Sequence, residues 1–255
     1  MSNWQMPEQS TLSKVQDSTR QYKRVVLKLS GESFAKPGQS GIDTDELSVI
    51  AGEIVDAVHN GIQLAVVVGG GNIVRGATLA KAGQIAQASA DYMGMLGTVI
   101  NGVALKEALE TLGQPARLMS AIDIPAVAET WIRGRALRHL EKGRVLILSA
   151  GTGNPFFTTD TCASLRGAEL DADILLKATK VDGIYDCDPE TNPNAIRYEK
   201  LTFAEAIKQQ LRVMDMTALT MCMERNLPVN VFAFKVKGNI RRVVHGEAIG
   251  TLVTN

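Results

Sequence analysis

The sequence has little of what several large protein classes require. Its three cysteines, Cys162, Cys187 and Cys222, are far apart and odd in number, which fits neither a disulfide framework nor paired metal-ligand spacing. They read as small buried or half-buried side chains. Net charge is also lacking, with 27 Lys+Arg against 27 Asp+Glu and no long run of one sign. That argues against a nucleic-acid binder driven by counterion release and against a polybasic membrane clamp. Apolar runs such as 63–68 and 145–148 fall far short of the ~20 residues a bilayer span needs. Residues 1–23 lack the continuous apolar core of a secretory signal. Residues 1–22 are therefore expected to be a loose, flexible tail and the protein to be cytoplasmic.

Common catalytic signatures are absent too. Neither G-x-G-x-x-G nor G-x-x-x-x-G-K-[ST] occurs, which disfavours a dinucleotide-binding dehydrogenase and a P-loop enzyme. No G-x-S-x-G elbow and no His pair at helical spacing is present, which removes the usual hydrolase and zinc-enzyme readings. His59, His139 and His245 lie away from every glycine cluster and read as surface or helix-end residues. No acid/base histidine is evident.

What is there is alternation. Short runs rich in Val, Ile and Leu at 24–29, 63–68, 115–119, 145–149, 173–178 and 228–234 read as buried strands. Segments of helical period lie between them, giving an α/β fold with a mainly parallel sheet between helix layers. The clearest helix carries Leu47, Ile50, Ala51, Ile54, Val55 and Val58 on one stripe, with Asp43 as N-cap, Glu46 three residues later and Gly61 closing it. Helices are also expected over 88–112, 125–141, 159–170, 203–211 and 215–226. Residues 181–200 are dense in turn formers around Ile184-Tyr185 and predict a hairpin-like excursion. No Pro/Ser-rich linker divides the chain, so residues 23–255 are expected to form one domain on one continuous sheet.

Three predicted strands run into glycine-bearing turns: Lys28-Leu29-Ser30-Gly31, Gly69-Gly70-Gly71-Asn72 and Ala150-Gly151-Thr152-Gly153. In an open α/β sheet such turns gather at the carboxyl edge, where ligands bind. Glycine lets backbone approach an anion closely, and helix N-termini aim free N–H groups at it, so phosphate is the natural guest. The plainer alternative is that the glycines only make tight turns. Lys28 interrupts an apolar strand; it either snorkels to solvent or meets a carboxylate or a ligand phosphate. Arg75 offers a bidentate fork to phosphate or is a surface residue. Asp91 and Asp160 each open a predicted helix and could be plain caps. A missing base has a meaning of its own: a phosphate monoester with second pKa ~6 is already an ionised acceptor, and its phosphorylation needs positioning and charge neutralisation more than proton removal.

Five strings carry a closer likeness: KLSGES at 28–33, VVGGGNIVRG at 67–76, DYMGML at 91–96, SAGTGNPFFTTD at 149–160 and LLKATKVDGIYDCDP at 175–189. In collinear order from about Tyr22 to Thr254, the set resembles the bacterial uridylate (UMP) kinases of the amino acid kinase superfamily. The resemblance implies a three-layer α/β/α sandwich and transfer of the γ-phosphoryl of Mg-ATP to UMP in pyrimidine nucleotide biosynthesis. It implies Lys28, Arg75 and Asp160 at the reacting phosphates, with Asp160 orienting Lys28 or a metal-bound water. For ATP it implies Lys28, Leu29, Ser30, Gly31, Gly71, Arg75, Thr179, Tyr185 and Asp188, with Tyr185 flanking the adenine and the 181–200 excursion acting as a lid. For UMP it implies Gly70, Asp91, Thr152, Gly153, Asn154, Pro155, Phe156, Phe157, Thr158 and Thr159. Phe156 and Phe157 are read as packing residues within that stretch. Residues 23–160 would then form mainly the UMP half and 161–255 mainly the ATP half. Mg²⁺ would ride on ATP oxygens and waters, with no dedicated protein cage.

By the same resemblance the protein would form a homohexamer, a trimer of dimers, activated by GTP and inhibited by UTP. The apolar breadth of 88–112 makes that helix a dimer-contact candidate, or one fully buried in the monomer. Two rivals share the glycine turns: a superfamily kinase acting on a carboxylate or carbamate, and a non-catalytic storage protein on the same fold. The 152–159 string speaks against the first, and Lys28, Arg75 and Asp160 together speak against the second.

Overall fold

Every apolar run predicted as a strand is one, because β-branched side chains at period 2 can be buried on both sheet faces at once. The computed structural model describes residues 22–255 except 60, 82, 84, 190 and 212; the tail expected over 1–22 lies, but for Tyr22, outside the described residues. In chain order the elements are β1 (Arg24–Leu29), a 3-10 turn (Gly31–Phe34), α1 (Thr44–Val58), β2 (Gln63–Val68), α2 (Gly76–Lys81), α3 (Gln87–Thr111), β3 (Ala116–Ser120), β4 (Glu129–Thr130), α4 (Arg133–Glu141) and β5 (Val145–Ser149). There follow α5 (Thr159–Glu169), β6 (Ile174–Thr179), β7 (Ile184–Tyr185), β8 (Arg197–Tyr198), β9 (Lys200–Thr202), α6 (Phe203–Lys208), α7 (Met216–Glu224), β10 (Val229–Ala233), α8 (Asn239–Val244) and β11 (Thr251–Thr254).

Nine strands form one sheet in the order β4-β3-β5-β2-β1-β6-β10-β11-β9. It is parallel except where β10 meets β11. Alternate residues of each strand feed opposite cores. Val25, Leu27 and Leu29 join α1, α3 and α8 on one face, while Val26 faces α4, α5, α6 and α7 on the other. Each fully buried aliphatic side chain contributes about 1.5–3 kcal/mol over leaving it in water, so two stacked cores hold the sheet from both sides.

The α1 signals act as predicted: the Asp43 carboxylate accepts from the N–H groups of Asp45 and Glu46, and Gly61 follows at φ +78. The excursion is a hairpin in which Ile184 pairs with Tyr198 and Tyr185 with Arg197. The helix expected over 125–141 is confined to α4. Thr130 lies in the edge strand β4 beside β3, and Trp131 N–H donates to Ser120 O at 2.9 Å, so a ladder bond takes the backbone that a longer helix would have used. Strands β9 and β11 and helices α2 and α8 were not anticipated; at six residues or fewer they carry too little period to read. Two of the cysteines are buried as expected, but Cys187 is exposed, on the hairpin loop where no core reaches it. His139 lies in the last turn of α4, a helix-end position as expected, but its side chain is buried there with Glu129 Oε2 at 3.1 Å.

Candidate active site

β1 sits at the switch point of the sheet. β2, β5 and β3 extend to one side of it and β6, β10 and β11 to the other, so the chain diverges at its carboxyl end and leaves a crevice. Lys28 is the next-to-last residue of β1 and is in register with Lys177 of β6. By strand alternation both side chains stand on the face covered by α5, and the first turn of α5 places Asp160 between them. Lys28 Nζ lies 3.0 Å from Asp160 Oδ1 and Lys177 Nζ 2.6 Å from Asp160 Oδ2. Lys177 also donates to Val213 O at 2.6 Å. The three side chains are only 12–14% exposed.

Electrostatics follow from that burial. Desolvation pushes the Asp160 carboxyl up, but Lys28 and Lys177 together outweigh it and hold it below the ordinary carboxylate range. Burial pushes Lys177 down, Asp160 pulls it up and Lys28 opposes it, leaving the ammonium below the ordinary lysine range. Two cations share the Asp160 carboxylate, and Asp215 adds a weaker favourable interaction with Lys177. Asp160 is thus no helix cap. That role falls to Thr158, whose hydroxyl accepts from the N–H groups of Asp160 and Thr161. Lys177 was missed in the sequence although its signal equals that of Lys28: one lysine inside an otherwise apolar strand.

A cleft of about 470 Å³ opens beside the cluster. It is lined by Gly70, Gly71, Arg75, Asp91, Thr152, Asn154, Phe157, Thr158 and Thr159, all named from sequence, and by Glu32, Met95 and Thr98, which were not. Its floor needs glycine for packing as much as for ligand approach. A Cβ on Gly31 would sit 2.4 Å from Gly71 N, and one on Gly70 would sit 2.5 Å from Gly94 O in α3, whereas Gly71 faces open space. Asp91 does not open its helix, which starts four residues earlier. Its carboxylate accepts from Phe156 N–H at 2.8 Å and from Gln87 Nε2 at 2.7 Å, tying α3 to the 150–158 loop.

Phe156 and Phe157 are not packing residues. They are 73% and 50% exposed, Phe156 holds φ +71, and Phe157 forms part of the cleft wall. Gly153 turns at φ +82 against Ala121; neither it nor Pro155 lines the cleft. Leu29 is fully buried in the core beneath α1, so only its backbone is available to a ligand. The Ser30 hydroxyl lies 3.3 Å from that of Ser33.

Arg75 is exposed and pairs with Glu32 Oε1 at 2.6 Å, while Lys180 reaches Glu32 Oε2 at 2.5 Å. These three residues line a second, polar hollow of about 410 Å³ that shares Glu32, Gly71 and Arg75 with the first. Tyr185 and Asp188 line a third, of about 510 Å³, under the β7–β8 hairpin. Tyr185 OH donates to Asp182 at 2.6 Å. Thr179 lies at the end of β6, outside that hollow, and donates to Val181 O at 2.6 Å. A larger hollow of about 650 Å³ between α5 and α7 contains none of the predicted residues.

Comparison with known proteins bears on the family and the fold. The profile of the amino acid kinase family matches residues 23–233. The chain is 40% identical to UMP kinase from Bacillus anthracis, with a TM-score of 0.89 over 92% of this chain and 97% of that one. It is 38% identical to UMP kinase from Ureaplasma parvum, with a TM-score of 0.86 over 91% and 99%. A more distant match is uridylate kinase from Archaeoglobus fulgidus, at 26% identity and a TM-score of 0.69 over 90% and 99%. No described helix is long and apolar enough to cross a membrane.

Proposed function

The chain belongs to the amino acid kinase family, and we propose that it transfers the γ-phosphoryl of ATP to UMP, giving ADP and UDP. The observation that carries this reading is the Lys28–Asp160–Lys177 cluster at the switch point, with a nucleotide-sized cleft whose wall ends at Thr159, the residue before Asp160. UMP would occupy the cleft walled by Asp91 and the 150–159 loop. ATP would lay its phosphates along Ser30, Gly31 and Gly71 toward Arg75, and its adenosine near Tyr185 and Asp188. Residues 23–160 would thus serve mainly the acceptor and 161–255 mainly the donor.

The chemistry asks for charge, not a base. UMP, with second phosphate pKa ~6, arrives ionised near neutral pH, and His59, His139 and His245 all stand outside the cleft. Two ammonium groups held by one carboxylate are preorganised donors for the oxygens over which charge spreads in transfer, and they need no rearrangement as it develops. Asp160, hydrogen-bonded by Lys177 at Oδ2 and ion-paired with Lys28 at Oδ1, acts as the positioning residue for Lys28 and Lys177. The donor set also bears on Mg²⁺. Asp160 and Glu32 are both occupied by cations, which fits an ion carried on ATP's own oxygens and waters; when bound there it supplies neutralisation of phosphate charge.

Assembly as a homohexamer, GTP activation, UTP inhibition and a cytoplasmic setting belong to the same reading by family resemblance. Tyr92, Leu96 and Ile100 of α3, each more than 40% exposed, suit a subunit contact. The test is ADP release with UMP, CMP, AMP and small carboxylates as acceptors. Turnover restricted to UMP supports the proposal, and turnover of a carboxylate without UMP overturns it.

A further inference from the structure

The wall of the acceptor cleft begins with a residue whose backbone is hard to hold. Ala150 is completely buried yet adopts φ +60, and Gly151 after it adopts φ +56. Two successive left-handed residues turn the chain out of β5 and into the 150–158 loop. For alanine that conformation is disfavoured because Cβ crowds the following carbonyl oxygen, so surrounding contacts must fix it. They do so through α3. The Thr98 side chain is buried, and its hydroxyl donates to Met95 O at 2.6 Å, one turn back in the helix. With its proton committed there, its lone pairs are free, and Ala150 N–H donates to Oγ1 at 2.6 Å. The bond sits where β5 ends and no ladder partner takes that N–H.

Thr98 also stands at the meeting point of two loops. A Cβ on Gly70 would lie 2.8 Å from Thr98 N, so the triple-glycine turn leans on the same stretch of helix that pins Ala150. The far end of the 150–158 loop is held independently, by Asp91 at Phe156 N–H. A single rigid helix thereby fixes both ends of the wall.

We infer that Thr98 is a positioning residue for the acceptor nucleotide, holding Ala150–Gly151 in the left-handed turn that sets the cleft's shape. The inference rests on the UMP reading for its substrate and on the geometry alone for the loop. Thr98→Val keeps the shape and removes the acceptor for a buried N–H, while Thr98→Ser keeps the hydroxyl. Thr98→Val should raise KM for UMP by roughly tenfold, the scale of one buried hydrogen bond lost. KM for ATP should stay within about twofold, and Thr98→Ser should restore the wild-type KM for UMP. Amide hydrogen exchange at Ala150 and Gly151 should speed up in Thr98→Val and not in Thr98→Ser. Should Thr98→Val fail to fold, Thr98→Ala removes the same acceptor without adding bulk. An unchanged KM for UMP, or an equal rise in both KM values, overturns the inference while leaving the UMP reading intact. A wild-type enzyme that ignores UMP overturns that reading instead; exchange then decides, and unchanged rates at 150–151 sink the inference.

Discussion

The chain contains two clusters of the same composition, one carboxylate between two cations, in opposite surroundings. Asp160 holds Lys28 and Lys177 beneath α5, with all three side chains at most 14% exposed. Glu32 holds Arg75 and Lys180 at the cleft rim, with the cations 64% and 59% exposed. Distances do not separate them, since every pair lies at 3.0 Å or less. Solvent does. An exposed pair contributes about 0–1 kcal/mol because water and salt compete for each partner, so Arg75 and Lys180 can leave Glu32 for an incoming phosphate at little cost. A buried cluster cannot be dissolved in that way, and removing the shared carboxylate strands both cations. Burial turns the same three charges from an exchangeable latch into a fixed electrostatic device.

Asp160→Ala should give the largest effect, because it leaves two buried ammonium groups facing each other without the carboxylate that bridges them. Stability should fall by about 3–5 kcal/mol in urea unfolding, and kcat with UMP by ~10²–10³-fold in single-turnover assays. Lys177→Met sharpens the contrast. It should cost ~10²-fold in kcat with a much smaller loss of stability, since Asp160 keeps Lys28. Equal destabilisation by the two variants would break the view that Asp160 holds the cluster together.

Titration should expose the buried cluster next. The folded-state pKa of Asp160 lies below its ordinary 3.8, so its contribution to stability is complete above that value and disappears as pH falls through the folded pKa. Lys177 lies below its ordinary 10.5. The folded state therefore binds that proton less tightly than the unfolded chain, and Lys177's own contribution to stability rises with pH in the window beneath 10.5. Activity needs the ammonium and should fall in the same window. A pH series read by both kcat and thermal melting should show that divergence, and Lys177→Met should abolish the alkaline loss of kcat.

The smallest effect belongs to the exposed cluster. Glu32→Gln should lower KM for ATP by about two- to threefold, vanishing at high salt, with stability changed by under about 0.5 kcal/mol. A rise in KM would show that Glu32 helps hold the nucleotide and does not compete with it.

Much of this is legible in the sequence. The six core strands declare themselves by apolar runs, and Asp43 marks the start of α1 by its own side-chain chemistry. Lys28 stands out as a cation inside an apolar strand, and Lys177 carries the same mark inside the predicted strand 173–178, but no glycine cluster follows it to single it out. Burial of particular side chains was not legible. Phe156 and Phe157 look like core residues in composition, but the loop is fastened by backbone and polar contacts at Ala150, Asp91 and Thr158, which leaves the rings outside. The short elements β4, β9, β11, α2 and α8 exist by tertiary pairing, and a local window cannot contain their partners.

A crystal structure with UMP and a non-hydrolysable ATP analogue tests the central claim most directly. Both Lys28 Nζ and Lys177 Nζ should lie within ~3 Å of oxygens on the phosphoryl group between the two nucleotides, with Asp160 still bridging the lysines. Phosphates bound at the Arg75 rim alone, with both lysines turned away from them, would contradict it.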